Sequence, residues 1–132
     1  MGRAILRKRR IVLVIEDHPL VLIEAADIIA DAGFEALTAA SADEAILILE
    51  SRDDIWAVFT DVNMPGSLDG LKLAHAVRDR WPPILFLVTS GYTDVTQGDL
   101  PFGGRLVRKP YQPSQIALAL QGFGSSDMAA AS

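Results

Sequence analysis

The sequence predicts an α/β domain: a five-stranded parallel sheet with helices on both faces. Three observations carry that reading. Short β-forming apolar runs recur along the chain, segments with helical apolar spacing separate them, and residues that start or stop helices stand at the joins.

The first run, Ile11–Ile15 (IVLVI), has no polar interruption and suits a strand buried on both faces. A helix follows, with Leu22, Ala26 and Ile29 at helical spacing and Gly33 as its stop. Phe34–Thr38 is the second strand. Ser41 with Glu44 three residues on forms a capping-box signature. Ala42, Ala45, Ile46 and Leu49 give that helix its buried face. Ile55–Thr60 is the third strand, and Asp69 caps a helix whose Leu73, Ala74 and Val77 face inward before Pro82–Pro83 end it. Ile84–Thr89 is the fourth strand and Arg105–Val107 a short fifth. Pro113 suits the first turn of a last helix carrying Ile116, Ala119, Leu120 and Phe123 on one face. Trp56 and Trp81 read as packing residues, and His75 as a surface residue on its helix.

Composition narrows the function. The chain has 132 residues, enough for one domain with a core that needs no staple. With no cysteine there is no disulfide framework, thiolate metal site or cysteine nucleophile. Its longest apolar runs fall far short of the ~20 residues of a membrane span. Arg7–Arg10 leads straight into a β-like run, unlike a secretory leader, so a cytoplasmic location is expected. A formal net charge of −5 argues against direct DNA binding. Residues 1–9 read as a basic arm, 10–123 as the domain and 124–132 as a small, polar, flexible tail.

In a parallel sheet, functional groups gather beyond the carboxyl ends of the strands. Here the first strand ends in Glu16–Asp17, the third in Asp61, the fourth in Thr89–Ser90 and the fifth in Lys109–Pro110. Taken singly these are ordinary: aspartates form turns and caps, threonine favours strands, lysine is solvated. Together they place three carboxylates, a hydroxyl and an ammonium on one edge. Crowded carboxylates raise one another's pKa and require compensating cations. Lys109 is one, and a hard divalent ion such as magnesium, which takes oxygen ligands and keeps waters, is the other. His18 follows the acidic pair, which makes it a minor candidate for that rim.

These motifs resemble the receiver domain of two-component response regulators. The resemblance rests on Glu16-Asp17, on Asp61-Val-Asn-Met64-Pro65 with Asp69-Gly70, on Val88-Thr89-Ser90-Gly91 and on Lys109-Pro110-Tyr111, and covers about residues 10–123. The stretch from Ala57 to Trp81 looks like single-domain receivers of alphaproteobacterial type. The resemblance implies a doubly wound, flavodoxin-like sheet in the order 2-1-3-4-5. It implies Asp61 as the phosphorylation site. Glu16, Asp17, Asp61 and the Asn63 carbonyl would bind Mg2+, with Thr89 and Lys109 contacting the phosphoryl group. It also implies a histidine kinase or histidine phosphotransfer protein as donor and an unidentified downstream protein target. A homodimer through the face of the fourth and fifth helices would follow the family's habit. With no sequence left for an output domain, the expectation is a stand-alone module acting through partners or as a phosphate sink. Its own chemistry would be limited to self-phosphorylation and slow self-dephosphorylation.

Three departures from the family pattern stand out. Asp69 lies eight positions after Asp61, one more than usual. Between Thr89 and Lys109, where the family has a full fourth helix, Gly98, Pro101, Gly103 and Gly104 break continuity, so that helix is expected to be short or missing, with Thr93–Gln97 as its only turn. Leu106 replaces the aromatic residue that swings as the threonine moves, which leaves Thr89, Leu106 and Tyr92 as switch candidates, with Phe102 a further stand-in. Two other functions compete. One is a receiver-like binding module independent of phosphorylation. The other is a phosphatase using Asp61 as nucleophile, against which stands Asn63 in place of a second acid.

Overall fold

The computed structural model describes residues 9–62, 69–91 and 95–131, with side chains up to Phe123. Five strands and four α-helices follow one another: β1 (Ile11–Ile15), α1 (Pro19–Asp31), β2 (Glu35–Ala39), α2 (Ala42–Ser51), β3 (Ile55–Asp61), α3 (Gly70–Arg80), β4 (Leu85–Ser90), β5 (Gly104–Arg108) and α4 (Pro113–Ala131). All strand pairs are parallel, in the order β2-β1-β3-β4-β5. The expected sheet is therefore the observed one, with the strand order reversing between β1 and β3 at its centre.

Period-2 alternation splits each central strand between two cores. Ile11, Leu13 and Ile15 of β1 pack on one face against Ala42, Ala45 and Leu49 of α2 and Leu73, Ala74 and Val77 of α3. Val12 and Val14 pack on the other against Ala25 and Ile29 of α1 and Ile116, Ala119, Leu120 and Phe123 of α4. The unbroken apolar run of β1 is thus required, because neither face meets water. On α1 the buried stripe runs through Ala25 and Ile29, while the expected Ala26 is only half-buried.

Local chemistry sets the ends. The Ser41 hydroxyl accepts the Glu44 N–H at 3.1 Å, and the Asp69 carboxylate accepts the Lys72 N–H at 2.9 Å. Gly33 takes a φ of 101°, the left-handed conformation that turns the chain from α1 into β2. Trp56 stacks on Phe34 at 5.3 Å and meets Phe123 edge-on at 6.2 Å, as a packing residue should. His75 is exposed, with its Nε2 3.1 Å from the Asp99 carbonyl.

Two boundaries differ from the expectation. The last helix runs on to Ala131, past Phe123, where a tail was expected; Met128–Ala131 consists of strong helix formers. Between β4 and β5 the described residues hold only one 3-10 turn, Gln97–Asp99, and Val95 and Thr96 of the expected turn are not helical. Among the described residues the family's fourth helix is thus reduced to that 3-10 turn, as Gly98 and Pro101 require. The Gln97 side chain instead reaches the backbone of β5. Its amide accepts the Leu106 N–H at 2.9 Å and donates to the Gly104 carbonyl at 2.7 Å, so it covers the open edge of β5 as a neighbouring strand would.

Candidate functional site

The carboxyl ends of β1, β3, β4 and β5 bring the predicted groups to one rim. Asp61 closes β3 and stands in register with Thr89 of β4, and the Val62 N–H donates to the Thr89 carbonyl at 2.9 Å. One residue beyond β5, the Lys109 N–H donates to the Ser90 carbonyl at 2.9 Å. That bond fixes Lys109 at the sheet's end, and its ammonium forms an ion pair with the Asp61 carboxylate across β4. On the other side, the Glu16 N–H donates to the Ala39 carbonyl at 3.1 Å and carries β1 one residue further. A small cleft of about 40 Å³ opens among Glu16, Asp61, Thr89, Lys109 and Tyr111. A groove of about 640 Å³ lies instead by Arg52, Arg80 and Trp81, at the amino-terminal ends of β3 and β4. It is the larger space but holds none of these groups.

Exposure differs within the rim. Thr89 is buried, and the Asp61 side chain is 13% exposed. The Lys109 side chain is 36% exposed, and Asp17 and His18 face solvent. Asp61 is therefore reachable but closely walled. The Glu16 carboxylate accepts the His18 N–H at 3.1 Å. Burial pushes the Glu16 carboxyl above its ordinary pKa; the His18 N–H pulls it down, and the Asp17 and Asp61 carboxylates push it up again. Burial likewise raises the Tyr111 hydroxyl, whose ring meets Phe59 edge-on at 6.4 Å. The Lys109–Pro110 peptide bond is cis.

A family model of the response regulator receiver domain matches residues 12–121. The chain belongs to that family. Receiver domains are the phosphoacceptor units of two-component systems. The sensor kinase CckA of Brucella abortus is 31% identical over 114 residues, which are 83% of this chain and 12% of the kinase. The hydrogenase transcriptional regulatory protein HoxA of Cupriavidus necator is 45% identical over 64 residues, 48% of this chain and 13% of that protein. The chain thus spans only about an eighth of either curated relative. The receiver domain of hybrid histidine kinase CckA superposes with a TM-score of 0.71 at 28% identity, over 86% of this chain and 97% of that one. A receiver protein from Sinorhizobium medicae gives 0.79 at 24% identity, over 89% and 95% of the two chains.

Receiver domains typically take magnesium, and the rim's chemistry fits it. All the side-chain donors are carboxylate oxygens, and the excess negative charge is felt at buried Glu16. Among the described residues no three acidic or imidazole side chains close into a ready cage. Asn63 lies outside the described residues, as does Tyr92. Of the other switch candidates, Thr89 faces the cleft, whereas Leu106 is in register with Val88 and packs into the α2–α3 core. Phe102 precedes the amino-terminal end of β5, 73% exposed, with Arg78 at 5.3 Å. It stands a strand's length from Thr89, so it cannot replace the swinging aromatic.

The burial of Glu16, with the neighbouring carboxylates adding to it, has a measurable consequence. Because folding raises the pKa of Glu16 above its ordinary value, its contribution to stability is full below the unfolded pKa and is lost as pH rises through the folded one. At pH 7 without metal, ionised Glu16 therefore costs stability. Glu16→Gln keeps an acceptor for the His18 N–H and removes the charge. It is expected to raise Tm by about 2–4 °C in metal-free buffer at pH 7 and by almost nothing near pH ~4. Thermal melts at the two pH values check this; a lower Tm at pH 7 would contradict it.

Proposed function

We propose that Asp61 accepts a phosphoryl group from a histidine kinase or a histidine phosphotransfer protein. The observation that carries this reading is the Lys109–Asp61 ion pair beside buried Thr89, at a small cleft lined by Glu16. An Asp61 carboxylate oxygen attacks phosphorus, the P–N bond to the donor imidazole breaks, and its electron pair stays on the imidazole nitrogen. The product is an acyl phosphate on Asp61. Lys109 exchanges its carboxylate partner for a phosphoryl oxygen, and the Thr89 hydroxyl donates to another. Phosphoryl transfer asks for placement and charge neutralisation rather than covalent help, and these residues supply both. Glu16, Asp17 and Asp61, with the Asn63 carbonyl, would hold magnesium. When bound, it neutralises charge on the phosphoryl oxygens.

The added charge then changes which packing of the rim is favoured. With Leu106 held in the core and Gln97 bonded to β5, the Thr89 movement is read by the β4–β5 connection rather than by a rotating aromatic ring. A downstream protein target would recognise that connection.

The test is incubation with acetyl phosphate and magnesium, followed by intact mass. One added phosphoryl group that hydroxylamine removes and that chelation of the metal prevents is the expected result. Protein that stays unlabelled in magnesium, or a label stable to hydroxylamine, would overturn the proposal and leave a binding module without phosphorylation.

A further inference from the structure

We propose that the basic amino-terminal arm docks along the groove between α1 and α4 of its own molecule. The groove measures about 330 Å³; Ile28, Ala32 and Ala117 give it an apolar floor, and Glu24, Asp27 and Asp31 an acidic rim.

The charges on α1 are placed against the helix's own interest. Glu24, Asp27 and Asp31 follow at i, i+3 and i+7, so like charges stack on one face, which is unfavourable. Asp31 also sits in the last turn, where the helix dipole disfavours an anion, and α1 has no basic residue there and no acid in its first turn. All three carboxylates are exposed, and none forms a salt bridge among the described residues. Such a stripe is stabilised by a cationic ligand laid along it.

The chain carries that ligand next to it. The arm reads Met-Gly-Arg3-Ala-Ile5-Leu6-Arg7-Lys8-Arg9-Arg10, with two apolar residues set between cations, as a groove with an apolar floor and acidic rim requires. Its root is at the correct end and on the correct face. The Arg10 carbonyl accepts the Glu35 N–H at 2.9 Å, just past the carboxyl end of α1. The Arg10 guanidinium lies 4.7 Å from the centre of Trp56, whose ring packs in the α1–α4 core. Of the three acids on α1, Asp31 stands at the end of the helix that leads to this root. From Glu24 to Asp31 the helix rises about 10 Å. Five extended residues before Arg10 reach about 17 Å, which brings Ile5 and Leu6 over the floor. This docking is independent of whether Asp61 is phosphorylated.

The chain has no cysteine, so an Ala4→Cys variant of the full chain takes a nitroxide label at one place only. At low salt, amide NMR signals of Ile28, Ala32, Ser114 and Ala117 are expected to broaden selectively and to recover at high salt. The triple change Glu24→Lys, Asp27→Lys, Asp31→Lys should abolish the broadening. Adding Arg7→Glu, Lys8→Glu and Arg9→Glu should restore it. The salt titration needs no groove variant, so it decides the matter even if the triple change unfolds the protein. Unbroadened groove amides at low salt would overturn the proposal. Broadening that grows with protein concentration would overturn it too, assigning the groove to a second copy.

Discussion

Asp61→Asn is expected to reduce phosphoryl uptake to background while leaving the fold intact. The amide is nearly isosteric with the carboxylate, so β3, its register with Thr89 and the Val62 N–H bond to the Thr89 carbonyl can all persist. What is lost is the anionic oxygen proposed to attack phosphorus, and among the described residues no other acid occupies its place. Glu16 is buried and engaged by the His18 N–H, and Asp17 faces solvent. Two opposing electrostatic changes bound the effect on stability. Lys109 loses its ion-pair partner, a pair whose lysine is 36% exposed and so contributes on the order of 1 kcal/mol or less. Glu16 loses a repulsive neighbour. The two partly cancel, so Tm should stay within about 5 °C of the parent. Intact mass after acetyl phosphate, paired with a thermal melt, separates the two readouts. A label of undiminished stoichiometry in a folded Asp61→Asn protein would place the acceptor elsewhere.

Sequence pattern revealed the sheet because its physics is local. A strand buried on both faces must be apolar throughout, as Ile11–Ile15 is, and a helix packed on one face must repeat every three to four residues, as Ile116 to Phe123 do. The rim was legible for a related reason. Parallel strands all end on the same side, so residues that follow apolar runs must meet, and Glu16, Asp61, Thr89 and Lys109 line one cleft. Other features escaped because they depend on distances between segments. Nothing near Gln97 in the sequence announces that its amide will bond the outer edge of β5. Strand ends slipped by one residue at β2, β3, β4 and β5, because hydrogen-bond pairing, not apolar character, decides where a strand stops. Phe102, an aromatic that the sequence offers as a stand-in for the one missing at Leu106, is separated from Thr89 by the length of β5.

Gly70 shows the same limit with the largest structural cost. In sequence it is the residue after a helix cap, where many residues would serve. In the structure its N–H donates to the Val62 carbonyl at 3.0 Å, and the start of α3 is drawn hard against the end of β3. A Cβ at position 70 would overlap the Asp61 carbonyl oxygen and stand 2.8 Å from the Val62 Cα. Both neighbours are backbone, so no side-chain rotation relieves the clash. Gly70→Ala must therefore move α3 or the end of β3 that holds Asp61. Such overpacking costs about 3 kcal/mol, or roughly 10 °C in Tm for a domain of this size. Because the displaced backbone belongs to the proposed acceptor itself, acetyl phosphate labelling should also slow at temperatures where the variant is still folded. Gly98→Ala is the control: a Cβ there meets only the Thr96 hydroxyl oxygen, at 3.7 Å, and Tm should change by no more than about 2–4 °C. If Gly70→Ala melted like the parent and labelled at the parent rate, the close approach of α3 to the Asp61 carbonyl would not be what positions the acceptor.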